Sequence, residues 1–212
     1  MGGITGATKP GETPTSPAPE SPRYAVLLSG GGRSLENLAD HIAAGKVAGE
    51  IAVVISNTKQ AYGLERARRL GIPHEVVHPR DFDGREAWGR AIYAILDRHD
   101  VDWVLLLGFL ALLPIQEEFR DRVLNIHPSL LPKFGGKGMH GQHVHAAVLA
   151  AGERESGCTV HFCDDVYDRG RILVQRRCPV LADDDVESLA ARVFEEEKRA
   201  LPEALRLLPK RR

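Results

Sequence analysis

The chain has 212 residues, 43% of them hydrophobic, and 28 Lys and Arg stand against 29 Asp and Glu for a formal net charge of −1. That length buries a full core and favours one domain, or two at most. The near-neutral balance gives no broad basic footprint for nucleic acid or an anionic membrane, and no apolar run approaches the roughly 20 residues that span a bilayer.

Residues 1–22 are rich in Gly, Pro, Ser and Thr, with almost no large apolar side chain. Such a segment cannot offset its ordering entropy and is expected to be a disordered tail, with residues 23–212 as one folded domain. From residue 24 strands and helices alternate. An apolar strand at 24–28 runs into Ser29-Gly30-Gly31-Gly32-Arg33-Ser34, followed by a helical pattern over 35–44. A strand at 51–55, a helix at 63–70 stopped by Gly71 as a left-handed cap, and a strand at 74–78 come next. An amphipathic helix over 83–98 carries Trp88, Ile92 and Ile95 on one face. The most apolar strand, 101–107, is followed by a short helix near 115–120 and a strand over 123–126. Then come a Gly-rich loop at 134–141, a helix over 142–151, strands at 158–163 and 172–179, and a long helix over 186–208 with a kink expected at Pro202. The rhythm predicts an α/β fold: a doubly wound, mostly parallel Rossmann-like sheet with right-handed crossovers and helices on both faces. The last two strands read as an antiparallel C-terminal edge.

Cys158, Cys163 and Cys178 are an odd number at spacings that fit neither a disulfide framework nor a zinc site. The opening residues lack a signal-peptide layout, so the expected setting is a cytoplasm with reduced thiols.

The segment Val123-Leu124-Asn125-Ile126-His127-Pro128-Ser129-Leu130-Leu131-Pro132 is the most informative. A buried strand ends at His127-Pro128, since proline cannot donate to a ladder. On an extended chain Asn125 and His127 project to the same side, about 7 Å apart, at a C-terminal strand end, which is where open α/β sheets bind ligands. A carboxamide and an imidazole together suit polarising a carbonyl and moving its proton. On its own such a pair is more often a turn-forming Asn and a surface His.

Asn-Ile-His-Pro-Ser-Leu-Leu-Pro-Lys-Phe, residues 125–134, resembles the signature of the folate-dependent formyltransferases, most closely those acting on glycinamide ribonucleotide in purine synthesis. The resemblance runs over residues 23–208. It implies Asn125 and His127 as catalytic groups, and Asp168 as the carboxylate beside them, since Tyr167-Asp168-Arg169-Gly170 matches a family Leu-Asp-x-Gly with Tyr for Leu. Without the family, the aspartates of that loop read as Asx-turn and solvated residues. His161 also matches a family position, and on its strand it reads as a hydrogen-bonded structural histidine near the site at least as readily as a direct participant.

The glycine-rich turn after the first strand is neither a G-x-G-x-x-G fingerprint nor a Walker A loop. As a pattern it is either a local turn or a phosphate cradle at a helix N-terminus. The resemblance implies that Gly32, Arg33 and Ser34 hold the ribonucleotide 5′-phosphate, with Arg33 and Ser34 standing where relatives commonly have Ser or Thr, then Asn. It also implies that Leu110, Ala111, Leu112 and Leu113, together with Asn125, line the folate pocket. Ala111 replaces a larger, often basic residue there. Arg85 and Glu197 match positions near the nucleotide, although alone they read as solvated helix charges. His140, His143 and His145 lack a completing carboxylate or thiolate pattern for a metal, and read as residues of the loop and the next helix.

The expected activity is transfer of the formyl group of 10-formyltetrahydrofolate to the amine of glycinamide ribonucleotide. It needs no metal or bound cofactor, and the folate is a co-substrate that leaves as tetrahydrofolate. The phosphate is expected in the half at residues 23–122, the folate and the chemistry in the half at 123–212. The expected partners are these small molecules only, in a monomer or homodimer. Among relatives, methionyl-tRNA formyltransferases add a C-terminal β domain and a basic RNA surface. Formyltetrahydrofolate deformylases add a regulatory domain and read His-His-Ser-Phe-Leu-Pro where this chain has His127-Pro128-Ser129-Leu130-Leu131-Pro132. A hydrolase is the nearest alternative, and intact Asn125, His127 and Asp168 argue against a non-catalytic binder.

Overall fold

Apolar side chains on both faces of the first strand set the architecture. In the computed structural model, which describes residues 21–209, β1 (Arg23–Leu28) sends Tyr24, Val26 and Leu28 into one core and Ala25 and Leu27 into the other. A strand buried on both faces requires helices above and below it. The first core is closed by α1 (Arg33–Ala43), α2 (Tyr62–Arg69), α4 (Gln142–Ala150) and α5 (Val186–Leu207), through Leu35, Ala67, Val148 and Leu189 among others. The second is closed by α3 (Gly84–Arg98), through Trp88, Ile92 and Leu96.

The remaining strands are β2 (Glu50–Ser56), β3 (His74–Val76), β4 (Trp103–Leu106), β5 (Val123–His127), β6 (Glu155–Phe162) and β7 (Ile172–Pro179). They form one seven-stranded sheet in the order β3-β2-β1-β4-β5-β6-β7. β3, β2, β1, β4 and β5 pair in parallel, whereas β6 is antiparallel to both β5 and β7. The doubly wound sheet with an antiparallel C-terminal edge is therefore as the sequence predicted. The chain leaves β1 in one direction for β2 and β3, then returns to the other side of β1 for β4. That reversal opens a crevice at the C-terminal ends of β1 and β4.

Several boundaries shift for physical reasons. α1 begins at Arg33 because Gly32, at φ 75°, turns the chain straight into the helix. β3 stops at Val76, where His78 caps the short turn that Pro79 opens. Only one 3-10 turn, Glu117–Phe119, forms near 115–120, and Asp121 at φ 58° then turns the chain towards β5. β6 begins three residues before the apolar run, because Glu155, Ser156 and Gly157 pair with β7 in spite of their composition. α5 opens with a capping box between Asp185 and Ser188 and continues through Pro202. Proline has no N–H for the Lys198 carbonyl, and the Asn37 side-chain amide donates to that oxygen instead at 3.3 Å. Residues 1–20 of the expected tail and the last three residues lie outside the described residues.

Candidate active site

The crevice is shaped by two loops held together by hydrogen bonds from the backbone and from the Ser29 side chain. The Ser29 N–H donates to the Gly108 carbonyl at 3.0 Å, and the Leu110 N–H donates to Ser29 Oγ at 2.9 Å. Arg66 donates through Nε to the Gly31 carbonyl at 2.8 Å, pinning the glycine turn from α2. Gly32 is the N-cap of α1, and no side chain caps that helix. The first-turn amides of α1 thus keep their donors for an external anion, at the positive end of the helix dipole. The cavity holds about 740 Å³, within the range of sites for small organic ligands. Its wall runs from the glycine turn through residues 106–113 to Asn125 and His127, then residues 136–142, Asp168 and α5.

Four polar side chains converge at the end of β5. The Asn125 amide donates to Asp168 Oδ1 at 3.3 Å and to His161 Nε2 at 3.1 Å. A carboxylate only accepts, so the Asn125 NH2 group must face it. His161 Nε2 then accepts from Asn125, and its Nδ1–H donates to the Phe162 carbonyl at 2.9 Å. His127 donates through Nε2 to the Phe134 carbonyl at 2.8 Å, since that oxygen cannot donate back. Nδ1 of His127, 3.5 Å from Asp168 Oδ1, is therefore the nitrogen left for chemistry. Asp168 Oδ2 accepts from the Gly136 N–H at 2.8 Å, and Oδ1 lies 3.6 Å from His161 Nε2.

The loop around Asp168 is shaped to deliver it. Asp168 sits at φ 57°, in the left-handed region that Asp tolerates better than most residues. Two residues later, a Cβ on Gly170 would stand 1.7 Å from the Phe162 carbonyl oxygen, so only glycine fits.

Burial lowers the His127 pKa below the ordinary 6.5, with Asp168 and the Phe134 carbonyl opposing it and His161 adding to it. Asp168 by itself would raise the imidazole pKa, but desolvation outweighs it. For Asp168 burial pushes upward, but the His161 imidazole, the His127 charge and the Gly136 N–H together hold it below 3.8. At neutral pH the site thus pairs a neutral imidazole with a carboxylate.

The formyl transferase family model matches residues 22–205, nearly every residue of the elements described above. The chain belongs to the formyl transferase family. Among its relatives, the chloroplastic phosphoribosylglycinamide formyltransferase of Vigna unguiculata is 42% identical over 88% of this chain and 60% of its own length. The trifunctional purine biosynthetic protein adenosine-3 of Drosophila pseudoobscura pseudoobscura is 45% identical over 88% of this chain and 14% of its own length. The chain thus spans less than two thirds of either curated relative. The crystal structure of glycinamide ribonucleotide transformylase 1 from Symbiobacterium toebii superposes with a TM-score of 0.81 at 40% identity, covering 87% of this chain and 86% of that one.

In this member of the family the cavity gathers most of the residues singled out in the sequence. Gly32, Arg33, Ser34, Leu110, Ala111, Leu112, Leu113, Asn125, His127, Asp168 and Glu197 all line it. Arg85 does not: its half-exposed guanidinium lies 3.6 Å from the neighbouring Glu86. Sequence reasoning missed the Phe134 carbonyl and the Gly136 N–H, because backbone groups leave no mark in a side-chain pattern. It also missed Phe194, and it read His145 only as part of a helix. His145 is buried on the cavity wall with no partner for Nδ1, and burial, then His127, lowers its pKa. Among the described residues no three His, Cys, Asp or Glu side chains converge to hold a metal ion.

The Glu197 carboxyl ties the stability of the fold to pH. Burial pushes its carboxyl from the ordinary 4.5 up to about 7, with the Arg33 charge opposing. Between those values the folded chain keeps a proton that the unfolded chain has released, so stability falls as pH rises through that window. Glu197→Gln keeps the shape and removes the charge. It is expected to add roughly 2 kcal/mol at about pH 8 and almost nothing at about pH 4. Urea unfolding at the two pH values measures this, and equal gains at both would contradict it.

Proposed function

We propose that this chain transfers the formyl group of 10-formyltetrahydrofolate to the amine of glycinamide ribonucleotide. The observation that carries the reading is the convergence of Asn125, His127 and Asp168 on the same cavity wall as an uncapped helix N-terminus. One end suits an anion, and the other suits acyl transfer. The names of its relatives support the same acceptor.

The ribonucleotide phosphate takes the open amides at Gly32, Arg33 and Ser34, which leaves the amine directed along the cavity towards His127. The folate lies against Leu110, Ala111, Leu112 and Leu113, where backbone groups meet the edge of the pterin and apolar side chains cover its faces. Holding two substrates in register supplies much of the acceleration. As the amine attacks the formyl carbon, His127 Nδ1 accepts the proton the amine loses. The imidazolium then faces the Asp168 carboxylate and the new oxyanion, and passes its proton to the departing folate nitrogen. Asn125 has both amide hydrogens engaged with Asp168 and His161. It serves the oxyanion by turning one of them away from these partners as negative charge develops there. No bound cofactor enters the scheme. Arg85 has no place in it.

Transfer and hydrolysis separate in one experiment. Purified protein with 10-formyltetrahydrofolate is expected to release tetrahydrofolate quickly only when glycinamide ribonucleotide is present, with the formyl group recovered on the nucleotide by mass spectrometry. Formate released at the same rate with and without the nucleotide would identify a hydrolase instead.

A further inference from the structure

We infer that Phe194 is a positioning residue for the phosphate end of the cavity, its ring serving as the platform that holds the Arg33 guanidinium ready for an oxyanion. This rests on the phosphate reading of the glycine turn and adds a residue that the turn does not contain. Arg33 opens α1 and Phe194 lies on α5, and the Arg33 Cζ sits 4.2 Å from the centre of the Phe194 ring. That lies inside the range of about 6 Å within which a ring attracts a cation through its quadrupole. Both side chains line the cavity. Among the described residues none accepts a hydrogen bond from the Arg33 guanidinium, although Arg66, one helix away, spends its donors on Gly31 and Glu36.

The contrast decides the reading. An exposed arginine with free donors is ordinarily mobile and loses rotamer freedom when it grips a ligand. Arg33 is restrained by an aromatic face, which limits its motion without taking its hydrogen-bonding capacity. Lys198 Nζ lies 5.7 Å from the same ring, so the platform gathers a second cation. One turn beyond Phe194, Glu197 lies close enough for the Arg33 charge to reach it, yet makes no ion pair with it. The fork thus stands unpaired beside the open amides of α1. Planar donors in that position match two oxygens of a phosphate dianion. Phe194 thereby contributes to the preference for a phosphorylated acceptor, through Arg33 rather than by contact.

The test uses ribose 5-phosphate as the anion, titrated calorimetrically into the full chain, beside KM values for nucleotide and folate. Phe194→Leu keeps an apolar side chain and removes the aromatic face. It is expected to weaken ribose 5-phosphate and to raise the nucleotide KM by about three- to tenfold, with kcat and the folate KM changing less than about twofold. Phe194→Tyr, which keeps the face, is expected to restore both. Adding Phe194→Leu to Arg33→Ala should cost nothing beyond Arg33→Ala alone, because the platform then has nothing to hold. Additive losses in the double variant, a tyrosine variant no better than leucine, or no measurable binding of ribose 5-phosphate to the wild-type chain would each overturn the inference. A wild-type chain that shows the Arg33–Phe194 coupling but never formylates the nucleotide would overturn the acceptor assignment and leave the platform standing.

Discussion

Asp168→Asn is expected to lower kcat about 10²–10⁴-fold, the range of a general acid–base contribution, with the fold retained and nucleotide affinity nearly unchanged. The substitution is mild in shape. Asparagine tolerates the left-handed backbone that Asp168 adopts at φ 57°, so the loop need not move. It is severe in charge. With the carboxylate gone, the protonated His127 Nδ1 at 3.5 Å loses its counter-charge, and a buried imidazole already disfavoured as a cation becomes harder still to protonate during turnover. Either orientation of the new amide also fails one neighbour: its NH2 faces the Gly136 N–H or the Asn125 NH2, both donors. That mismatch costs about 1–3 kcal/mol, a visible loss in thermal unfolding that still leaves a folded protein. Single-turnover rates at saturating substrates, with direct binding of the nucleotide, separate the two effects. His127→Ala should lose activity to a similar degree and for a simpler reason, since the nitrogen that takes the proton is gone. Near-normal turnover in both variants would remove these residues from the chemistry.

What the sequence revealed of this site follows from which parts of it are side chains. The strand-end spacing placed Asn125 and His127 on one side of β5, and the structure delivers them to a common wall. The glycine turn was visible as composition, but the absence of a side-chain cap on α1, which leaves its first-turn amides open, was not. The Phe134 carbonyl, which sets the His127 tautomer, comes from a residue at φ 55°, and no pattern of residue types announces such a backbone turn. Phe194 and Glu197 belong to an amphipathic helix 160 residues beyond the turn they meet. Their relation to Arg33 depends on α5 packing against α1, a contact across the whole chain. Arg85 shows the opposite failure. A family position suggested the site, yet its guanidinium stays half in water beside Glu86. β6 was read three residues short because Glu155, Ser156 and Gly157 break the apolar run, while their ladder to Arg177, Cys178 and Pro179 is a property of the partner strand.

Gly32→Val is expected to weaken the ribonucleotide by at least about 10²-fold while the folate moves less than about twofold. Two independent effects act at that position. Gly32 sits at φ 75°, a conformation costing an ordinary residue about 1–2 kcal/mol and a β-branched one more. Its first side-chain carbon would also stand 2.7 Å from the Gly63 Cα, so the turn and the start of α2 must part. That neighbour is backbone and not a flexible side-chain tip that could swing aside. The movement pulls the turn away from the Gly31–Arg66 hydrogen bond and spreads the α1 amides that would otherwise converge on one anion. The cavity wall at residues 110–113, proposed above to hold the pterin, hangs from Ser29, upstream of the change, through the Leu110 N–H, which is why folate should be spared. Gly32→Ala keeps the backbone strain with less bulk and should fall between valine and the wild type, which guards against a valine variant too unstable to assay. The measurement is the dissociation constant for the nucleotide and for its dephosphorylated form in each variant. In the wild type the phosphate should account for most of the affinity, and in Gly32→Val the two forms should bind almost alike. A wild-type chain that already binds both forms equally would show that the open amides of α1 serve some other group.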